Sequence, residues 1–205
     1  MDSGFQSKKE SHLLHPYRPD FDFECGIDEA GRGCGAGPVF AAAVVLPTDY
    51  YHPLLNDSKL INSNTRMILR QHIMEHALDY GIGMASVTEI DKINILQATF
   101  LAMHRAIKAT HIRPGIYLID GNRFKAPKKM NYETVIGGDS KVASIAAASI
   151  LAKTTRDAYM EKLHLKFPIY HWDQNKGYLT AQHRTICREA GITIHHRKSF
   201  RLYTE

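Results

Sequence analysis

Apolar residues along this chain fall into short runs of strand length, separated by longer helical patterns. The segment VFAAAVVL at 39–46 is continuously apolar and is closed by Pro47, which is typical of a strand covered on both faces. The longest helical pattern, at 88–110, carries a broad apolar stripe. The patterns predict strands at 23–28, 39–46, 80–87, 116–120 and 133–136, and helices at 64–76, 88–110, 142–165 and 180–189.

The order of these elements indicates the fold class. Read along the chain they run β-β-α-β-α-β-β-α-α, which favours an α/β layer structure with helices covering a mixed sheet. A chain of 205 residues suits one domain. We expect residues 1–20, with SKKES and two prolines, to form a poorly ordered arm and residues 21–205 to form that domain.

Charge is distributed unevenly along the chain. The net charge is only +5, but residues 122–205 contain 15 Lys and Arg against 7 Asp and Glu, a net of +8. Residues 1–121 carry a net of −3. A strongly basic C-terminal part favours a polyanionic partner such as a nucleic acid.

Several function classes are disfavoured by what the sequence lacks. The cysteines Cys25, Cys34 and Cys187 show no metal-binding spacing, and their odd number favours free thiols in a reducing compartment. The longest apolar run is far shorter than the ~20 residues of a membrane span, and no apolar signal segment opens the chain. There is no Walker A loop and no dinucleotide-binding glycine pattern in its usual setting. We expect a cytoplasmic protein with no membrane association.

Four carboxylates follow buried strand-like segments beside glycines: Asp28 and Glu29 in GIDEAGRG, Asp120 in LIDGN and Asp139 in GGDSK. Sites in α/β sheets collect at strand ends, and crowded carboxylates repel unless a cation neutralises them. If the strands are neighbours, the four form an oxygen-only site suited to Mg²⁺ or Mn²⁺. A single aspartate after a strand more often forms a turn or caps a helix, so the hypothesis needs all four.

Asp28 and Glu29 are adjacent, which constrains how they share a site. Successive residues of a strand point to opposite faces of the sheet. Both carboxylates therefore serve one site only if the chain turns at this point, and AGRG is expected to supply the turn.

Five sequence blocks, in a fixed order, cover most of the chain from about Cys25 to Phe200. They are GIDEAGRG with AGPV, DSK at 57–59, LIDGN at 118–122, GGDSKVASIAAASILAKTTRD at 137–157 and NKGY…HR…G…HHRKSF at 175–200. Together they closely resemble the type 2 ribonucleases H, specifically the bacterial ribonuclease HII family. Two departures are local: Cys34 and Gly35 replace a usually bulkier pair, and DSKLIN stands in place of DSKKLS.

The resemblance implies a fold and an activity. The fold is RNase H-like: a mixed five-stranded sheet flanked by helices, with a C-terminal helical extension from about residue 170. The activity is that of a metal-dependent endoribonuclease, which hydrolyses the RNA strand of RNA–DNA hybrids. It also nicks 5′ of single ribonucleotides embedded in duplex DNA, leaving 3′-hydroxyl and 5′-phosphate ends, as in ribonucleotide excision repair. Asp28, Glu29, Asp120 and Asp139 match the catalytic metal ligands of a two-ion site for Mg²⁺ or Mn²⁺, with Asp28 as the bridging ligand.

The resemblance also implies how the substrate is recognised. The backbone of Gly31, Arg32 and Gly33 contacts the ribose 2′-hydroxyl, and Tyr178 packs on the next sugar. On residue type alone, the glycines equally suit a plain strand-exit loop, and Tyr178 suits a half-buried core aromatic. Candidate phosphate contacts, each of which is singly more typical of a solvated surface group, are Lys59, Ser140, Lys141, Ser144, Lys153, Thr154, Arg156, Lys176, His183, Arg184, Arg197 and Lys198.

Two alternatives stay open. The sister type, ribonuclease HIII, usually carries a long N-terminal substrate-binding domain, whereas about 20 residues precede the first strand here. A non-catalytic nucleic-acid-binding module is expected to have lost a carboxylate, and all four are present. We expect a monomer, and the tail RLYTE shows no obvious clamp-binding motif, which leaves contact with a sliding clamp undetermined.

Overall fold

The computed structural model describes Leu14, residues 20–55 and residues 61–203. The predicted N-terminal arm and Lys59 lie, apart from Leu14 and Asp20, outside these residues. The described strands are β1 (Glu24–Ala30), β2 (Val39–Val45), β3 (Asp79–Ala85), β4 (Ile116–Asp120) and β5 (Tyr132–Val135). The described helices are α1 (Ser63–His76), α2 (Val87–Lys108), α3 (Ala143–His164), α4 (Trp172–Asn175) and α5 (Ala181–Glu189).

The five strands form one mixed sheet in the order β3-β2-β1-β4-β5. The first three strands along the chain pair antiparallel, whereas β1, β4 and β5 run parallel. The expected α/β fold with a mixed five-stranded sheet is confirmed. Because β4 runs parallel to the central strand β1, and β5 runs parallel to β4, the carboxyl ends of three strands lie at one edge of the sheet.

Helices cover both faces of the sheet. Every residue of β2 is buried, as its continuous apolar pattern predicts. Ala42 and Val44 pack in a core with α1 and α3, whereas Ala41, Ala43 and Val45 pack in a second core with α2. This alternation follows from the two-residue period of a strand. For the same reason, successive residues of β1 face α2 and α3 in turn.

Small residues let α3 approach β1 closely. A Cβ atom on Gly26 would lie 2.1 Å from the main-chain carbon of Ser144, so only glycine fits there. The first half of α3 is fully buried and rich in alanine. This contact fixes the position of α3 along the axis of β1. It therefore also sets the relative positions of the site residues further along the two elements.

The predicted helix at 88–110 contains a kink that the apolar pattern does not reveal. It begins with a capping box between Ser86 and Glu89, but Asn94 has φ 65 and ψ 164, which breaks the helix. The Asn94 side chain then accepts a hydrogen bond from the backbone N–H of Gln97, at 3.1 Å, as an N-cap does.

The chain after α3 forms a small layer of its own against the loop that follows β1. Trp172, Tyr170 and Met160 are buried there with Ala36. The helix α4 was not predicted, because a single turn is too short to produce a periodic pattern. In the part of the chain that the structure describes, no helix is long and apolar enough to cross a membrane.

Candidate active site

The four carboxylates meet at the edge of the sheet where β1, β4 and β5 end. Asp28 and Glu29 lie near the end of β1, and Asp120 is the last residue of β4. Asp139 lies in a single 3₁₀ turn after β5. All four line one cavity of about 450 Å³. The structure therefore brings together the residues that the sequence placed at separate strand ends.

Asp28 and Glu29 share this cavity although both lie within β1. The strand continues to Ala30, and the turn that AGRG was expected to supply follows it directly, at Arg32 and Gly33. Asp28 accepts a hydrogen bond from the backbone N–H of Glu29 at 2.6 Å. Glu29 also borders a second cavity, which it shares with Leu96 of α2. The two carboxylates reach the site from opposite faces because the cavity lies around the end of the strand.

Asp120 holds the turn that carries Asp139. Its carboxylate accepts the N–H of Gly138 at 2.7 Å. Gly137 adopts a left-handed conformation with φ 63, which reverses the chain at the end of β5. Asp139 is buried as a result and faces the same cavity. One carboxylate thus positions the backbone that presents the next one.

The electrostatics of the cavity favour a bound cation. Burial raises the pKa of Asp28 well above its usual range, and repulsion from Glu29 and Asp120 raises it further. Burial also raises the pKa of Glu29, whereas the Arg32 guanidinium at 3.1 Å opposes that rise. Such shifts indicate that Asp28 and Glu29 carry negative charge at an energetic cost in this crowded cavity. Divalent cations with oxygen ligands would compensate it.

The donor set fits Mg²⁺ or Mn²⁺, because it consists of carboxylate oxygens. The oxygens are spread more widely than a closed cage for one ion. Among the described residues, the one group of three or more possible ligands whose atoms all lie within 4.8 Å is His183, Cys187 and His196. A two-ion site spans more space, since its ions lie about 3.5–4 Å apart.

The histidine–cysteine group is a hydrogen-bonded core cluster. Burial, with the neighbouring His183 and His195, lowers the pKa of His196 to about 4, so this ring is neutral. Its Nδ1 accepts the backbone N–H of Thr193 at 3.0 Å, which places its proton on Nε2. His183 Nε2 accepts the indole N–H of Trp172 at 3.2 Å. The nitrogens that face the centre of the group are therefore already used.

Six of the predicted substrate-binding residues line the carboxylate cavity. Gly33 opens onto free space, and the Lys153 amine lies 2.8 Å from Asp157. Arg156 borders the cavity but is itself buried, and its guanidinium donates to main-chain carbonyls. The six residues are Gly31, Arg32, Gly33, Lys153, Arg156 and Tyr178.

Tyr178 presents its ring to the cavity and is 46% exposed. The Lys153 amine lies 6.0 Å from the ring centroid. The Tyr178 hydroxyl lies beside the Cys34 thiol. Burial raises the pKa of the Cys34 thiol, which keeps it neutral. The local departure at Cys34 thus contacts the aromatic residue of the site, although it touches no carboxylate.

Other predicted phosphate contacts are not brought to the carboxylates. Ser144 donates to Glu24 at 2.7 Å and lines a different cavity with Phe21. Thr154 is buried, donates to the carbonyl of Ile150 and accepts from Arg70. Their side chains are used by the protein itself, so the hypothesis that they bind phosphate gains no support.

Most of the remaining candidates also have partners within the protein. His183 belongs to the core cluster described above, and Arg184 donates to the carbonyls of Arg201 and Leu202. Lys141 donates to the carbonyl of Ile136, and Lys176 pairs with Glu161 at 2.6 Å. Arg197 is fully buried, whereas Ser140 and Lys198 are exposed. None of these residues lines the carboxylate cavity.

Two polar residues of the cavity were missed by sequence reasoning: Arg66 of α1 and Ser149 of α3. Ser149 hydrogen-bonds Asp28. The contact between Ser149 and Asp28 can be anticipated once Gly26 is known to contact Ser144. Two strand residues rise about 7 Å and five helix residues about 7.5 Å, so Ser149 comes level with Asp28.

The fold and site together define the class of protein. A solved structure of the ribonuclease H2 from Pyrococcus horikoshii superposes with a TM-score of 0.73 at 21% identity, covering 88% of this chain and 94% of that chain. The structure of a PCNA:RNase HII complex from Archaeoglobus fulgidus gives 0.69 at 24% identity, covering 89% and 97%. The architecture is therefore the RNase H-like fold.

Sequence comparison then gives the family. The family model described as Ribonuclease HII matches residues 25–203. Relatives named Ribonuclease HII are 53% identical over 92% of this chain and 94% of their own in Porphyromonas gingivalis, and 54% identical over 94% and 97% in Parabacteroides distasonis. The chain belongs to the ribonuclease HII family. It is a hydrolytic endonuclease with ribonuclease H activity, which acts on RNA–DNA hybrids.

Proposed function

We propose that, besides hydrolysing RNA in hybrids, this enzyme nicks duplex DNA on the 5′ side of a single embedded ribonucleotide. The products are a 3′-hydroxyl and a 5′-phosphate. The observation that carries the proposal is one cavity lined both by Asp28, Glu29, Asp120 and Asp139 and by the loop Gly31–Gly33 with Tyr178. A group that hydrolyses phosphodiesters and a group suited to reading a sugar thus lie side by side.

The carboxylates are proposed to hold two divalent ions, Mg²⁺ or Mn²⁺, in the substrate complex. When bound, the ions supply an activated water for attack on phosphorus and stabilise the leaving 3′ oxygen. Asp28 is the central ligand, because its charge interacts with both Glu29 and Asp120. A structure titled as Bst-RNase HIII in complex with Mn²⁺ belongs to a protein with a TM-score of 0.65 to this one.

The glycine loop is proposed to read the 2′-hydroxyl through its main chain. Among the hydrogen bonds of the described residues, the backbone N–H groups of Arg32 and Gly33 have no protein acceptor. A 2′-hydroxyl can accept a hydrogen bond from such groups, whereas a deoxyribose offers none at that position. Gly33 has open space where a side chain would stand, so a sugar can approach closely.

Tyr178 is proposed to pack its ring on the adjoining sugar. We expect Tyr178→Ala to lower kcat/KM about tenfold on a duplex with one ribonucleotide, through lost apolar contact. The temperature of unfolding should stay close to that of the parent protein, because the ring is 46% exposed. Steady-state kinetics with a thermal unfolding curve measures both quantities.

Tyr178→Phe is the matched control for that change. It keeps the ring but removes the hydroxyl that contacts Cys34. Its kcat/KM should fall less than that of Tyr178→Ala. Equal losses in the two variants would show that the hydroxyl, and not the ring, is what the substrate needs.

A substrate panel separates this proposal from the two alternatives. It contains a continuous hybrid, a DNA duplex with one ribonucleotide, and the same duplex without it. The proposal predicts cleavage of the first two and not of the third. Cleavage of the hybrid alone would favour behaviour of the sister type, ribonuclease HIII, and binding without turnover in Mg²⁺ or Mn²⁺ would favour a non-catalytic module.

The cellular setting is proposed to be removal of ribonucleotides from DNA by a monomer in the cytoplasm. Three cysteines, all buried and unpaired, support a reducing compartment. The partner would be the duplex substrate itself.

A further inference from the structure

Two fully buried arginines lie beneath residues 31–38, the loop that begins with Gly31–Gly33 and leads into β2. Arg197 donates from Nη2 to the carbonyl of Gly31 at 2.7 Å, from Nη1 to that of Arg32 at 2.9 Å and from Nε to that of Gly37 at 2.9 Å. Its own backbone N–H donates to the carbonyl of Gly35 at 2.8 Å. A single residue thus binds four carbonyls of one loop.

Arg156 supports the exit of the same loop. It donates to the carbonyls of Ala36 and Pro38, at 3.1 and 3.2 Å, and to that of Lys176 at 2.8 Å. Its side chain also lies directly against Gly31: a Cβ there would be 2.0 Å from Nε. Gly31 has φ 96, a conformation that favours glycine. The loop is therefore packed onto one guanidinium and hydrogen-bonded to both.

Neither arginine forms a close ion pair with an acid, although the charge of Asp91 acts on Arg197. Within the described residues, no ion pair includes Arg156 or Arg197. Burying a charge is costly unless its donors are all used, and a hydrophobic pair would fill the same space more cheaply. Two such residues under one short loop are explained by what the loop gains from them, which is a fixed orientation of its carbonyls.

The carbonyl orientation decides where the amides point. In a planar trans peptide, the C=O of one residue and the N–H of the next point in opposite directions. With the carbonyls of Gly31 and Arg32 drawn to Arg197, the N–H groups of Arg32 and Gly33 are directed away from it. Arg197 is buried, while the loop lines the cavity with its other side. The amides therefore face the substrate side.

We propose that Arg197, supported by Arg156, is a positioning residue for ribose recognition, because it orients the N–H groups of Arg32 and Gly33 toward the 2′-hydroxyl. This inference rests on the proposed reading of the ribose by the loop. Arginine is suited to the role because its planar fork presents donors in fixed directions. A lysine keeps the positive charge but has a single amine nitrogen. That nitrogen cannot reach all three carbonyls that the separate guanidinium nitrogens of Arg197 bind.

Arg197→Lys tests the proposal in the metal-loaded enzyme. Under turnover in Mg²⁺, KM is measured for a duplex with one ribonucleotide, and the inhibition constant for the matched all-DNA duplex. We expect the ratio of the second to the first to fall about tenfold in Arg197→Lys, as loss of one or two hydrogen bonds implies. The all-DNA inhibition constant itself should change less than about twofold, since phosphate contacts are kept.

A second test variant and a control variant accompany this experiment. Arg156→Lys loosens the exit of the same loop and should lower the ratio in the same direction, which keeps the proposal testable if Arg197→Lys does not fold. Tyr170→Phe removes a hydrogen bond of 3.0 Å to Gly191 in the same C-terminal layer and leaves the glycine loop untouched. Its ratio should equal that of the parent protein, whatever its unfolding temperature.

The outcomes distinguish the proposed reading of the ribose by the loop from the proposed positioning role of the arginines. A parent enzyme whose ratio is near one does not read the ribose by binding, and the proposed role of the loop then fails along with this inference. A parent enzyme that discriminates, with folded Arg197→Lys or Arg156→Lys variants that discriminate equally well, overturns the positioning role alone. A drop in the ratio confined to the arginine variants supports it.

Discussion

Asp28→Asn should abolish cleavage, lowering kcat by about a thousandfold or more, because several kcal/mol of transition-state stabilisation depend on the ions that we propose it holds. Asp28 is buried and its charge interacts with those of Glu29 and Asp120, so the substitution removes the central carboxylate of the proposed site. Binding of the duplex should be largely kept. Single-turnover cleavage and a binding assay measure the two effects.

The same substitution should not destabilise the protein in the absence of metal. Burial and two acidic neighbours raise the pKa of Asp28, so its charged form disfavours folding as pH rises through that value. Asparagine removes this charge and keeps the shape of the side chain. In EDTA, its unfolding temperature should equal or exceed that of the parent protein.

Glu24→Gln is the matched control, because Glu24 is a buried carboxylate on the same strand, at its other end. It accepts a hydrogen bond from Ser144 and lies outside the catalytic cavity. Its cleavage rate should match that of the parent protein. Activity of Asp28→Asn within tenfold of the parent would contradict the assigned role.

Gly26→Ala should destabilise the fold strongly, by about 3 kcal/mol or more, because overpacking at a rigid backbone contact cannot relax through side-chain motion. The new Cβ would lie 2.1 Å from the main chain of Ser144 and 2.3 Å from that of Ile145. For a chain of this size such a change lowers the unfolding temperature by roughly 6–12 °C. Thermal or denaturant unfolding measures it.

Gly33→Ala is the control for that stability measurement. Nothing lies within 4 Å of a Cβ at Gly33, so we expect a change of less than about 1 kcal/mol in the free energy of unfolding. A loss in Gly26→Ala no larger than in Gly33→Ala would show that α3 moves away from β1 easily. The height of α3 along the sheet would then not be fixed by this contact.

The sequence predicts the strands and the acidic site well for a physical reason. Continuous apolar runs such as 39–45 and 116–120 are strands covered on both faces, and their ends are marked by a carboxylate or proline. The four carboxylates follow such ends, so their meeting requires only that the strands be neighbours. The strand order β2-β1-β4-β5 provides this.

The errors and omissions arise where a contact between distant segments decides the outcome. Asp28 and Glu29 share one cavity although both lie within β1, because the cavity lies around the strand end, which a one-dimensional pattern does not show. Asn94 breaks a helix whose apolar stripe continues across it. Ser149 contacts Asp28 without any signal in the sequence pattern, because the offset between α3 and β1 depends on the contact at Gly26.

The basic excess of the C-terminal part has a more mixed origin than its total suggests. Arg156 and Arg197 bind main-chain carbonyls, Arg184 binds the carbonyls of Arg201 and Leu202, and Lys176 pairs with Glu161. These cations organise loops at the cavity and in the C-terminal layer. A count of charges along the sequence does not distinguish them from charges that face a phosphate.

The central claim is metal-dependent hydrolysis at a ribonucleotide, and mapping the product ends on a duplex with one ribonucleotide tests it most directly. With Mg²⁺ or Mn²⁺, we expect a single nick on the 5′ side of the ribonucleotide, with a 3′-hydroxyl and a 5′-phosphate, and no nick in EDTA. A 2′,3′-cyclic phosphate end would indicate attack by the 2′-hydroxyl instead of water. Either that end or cleavage that survives in EDTA would contradict the account.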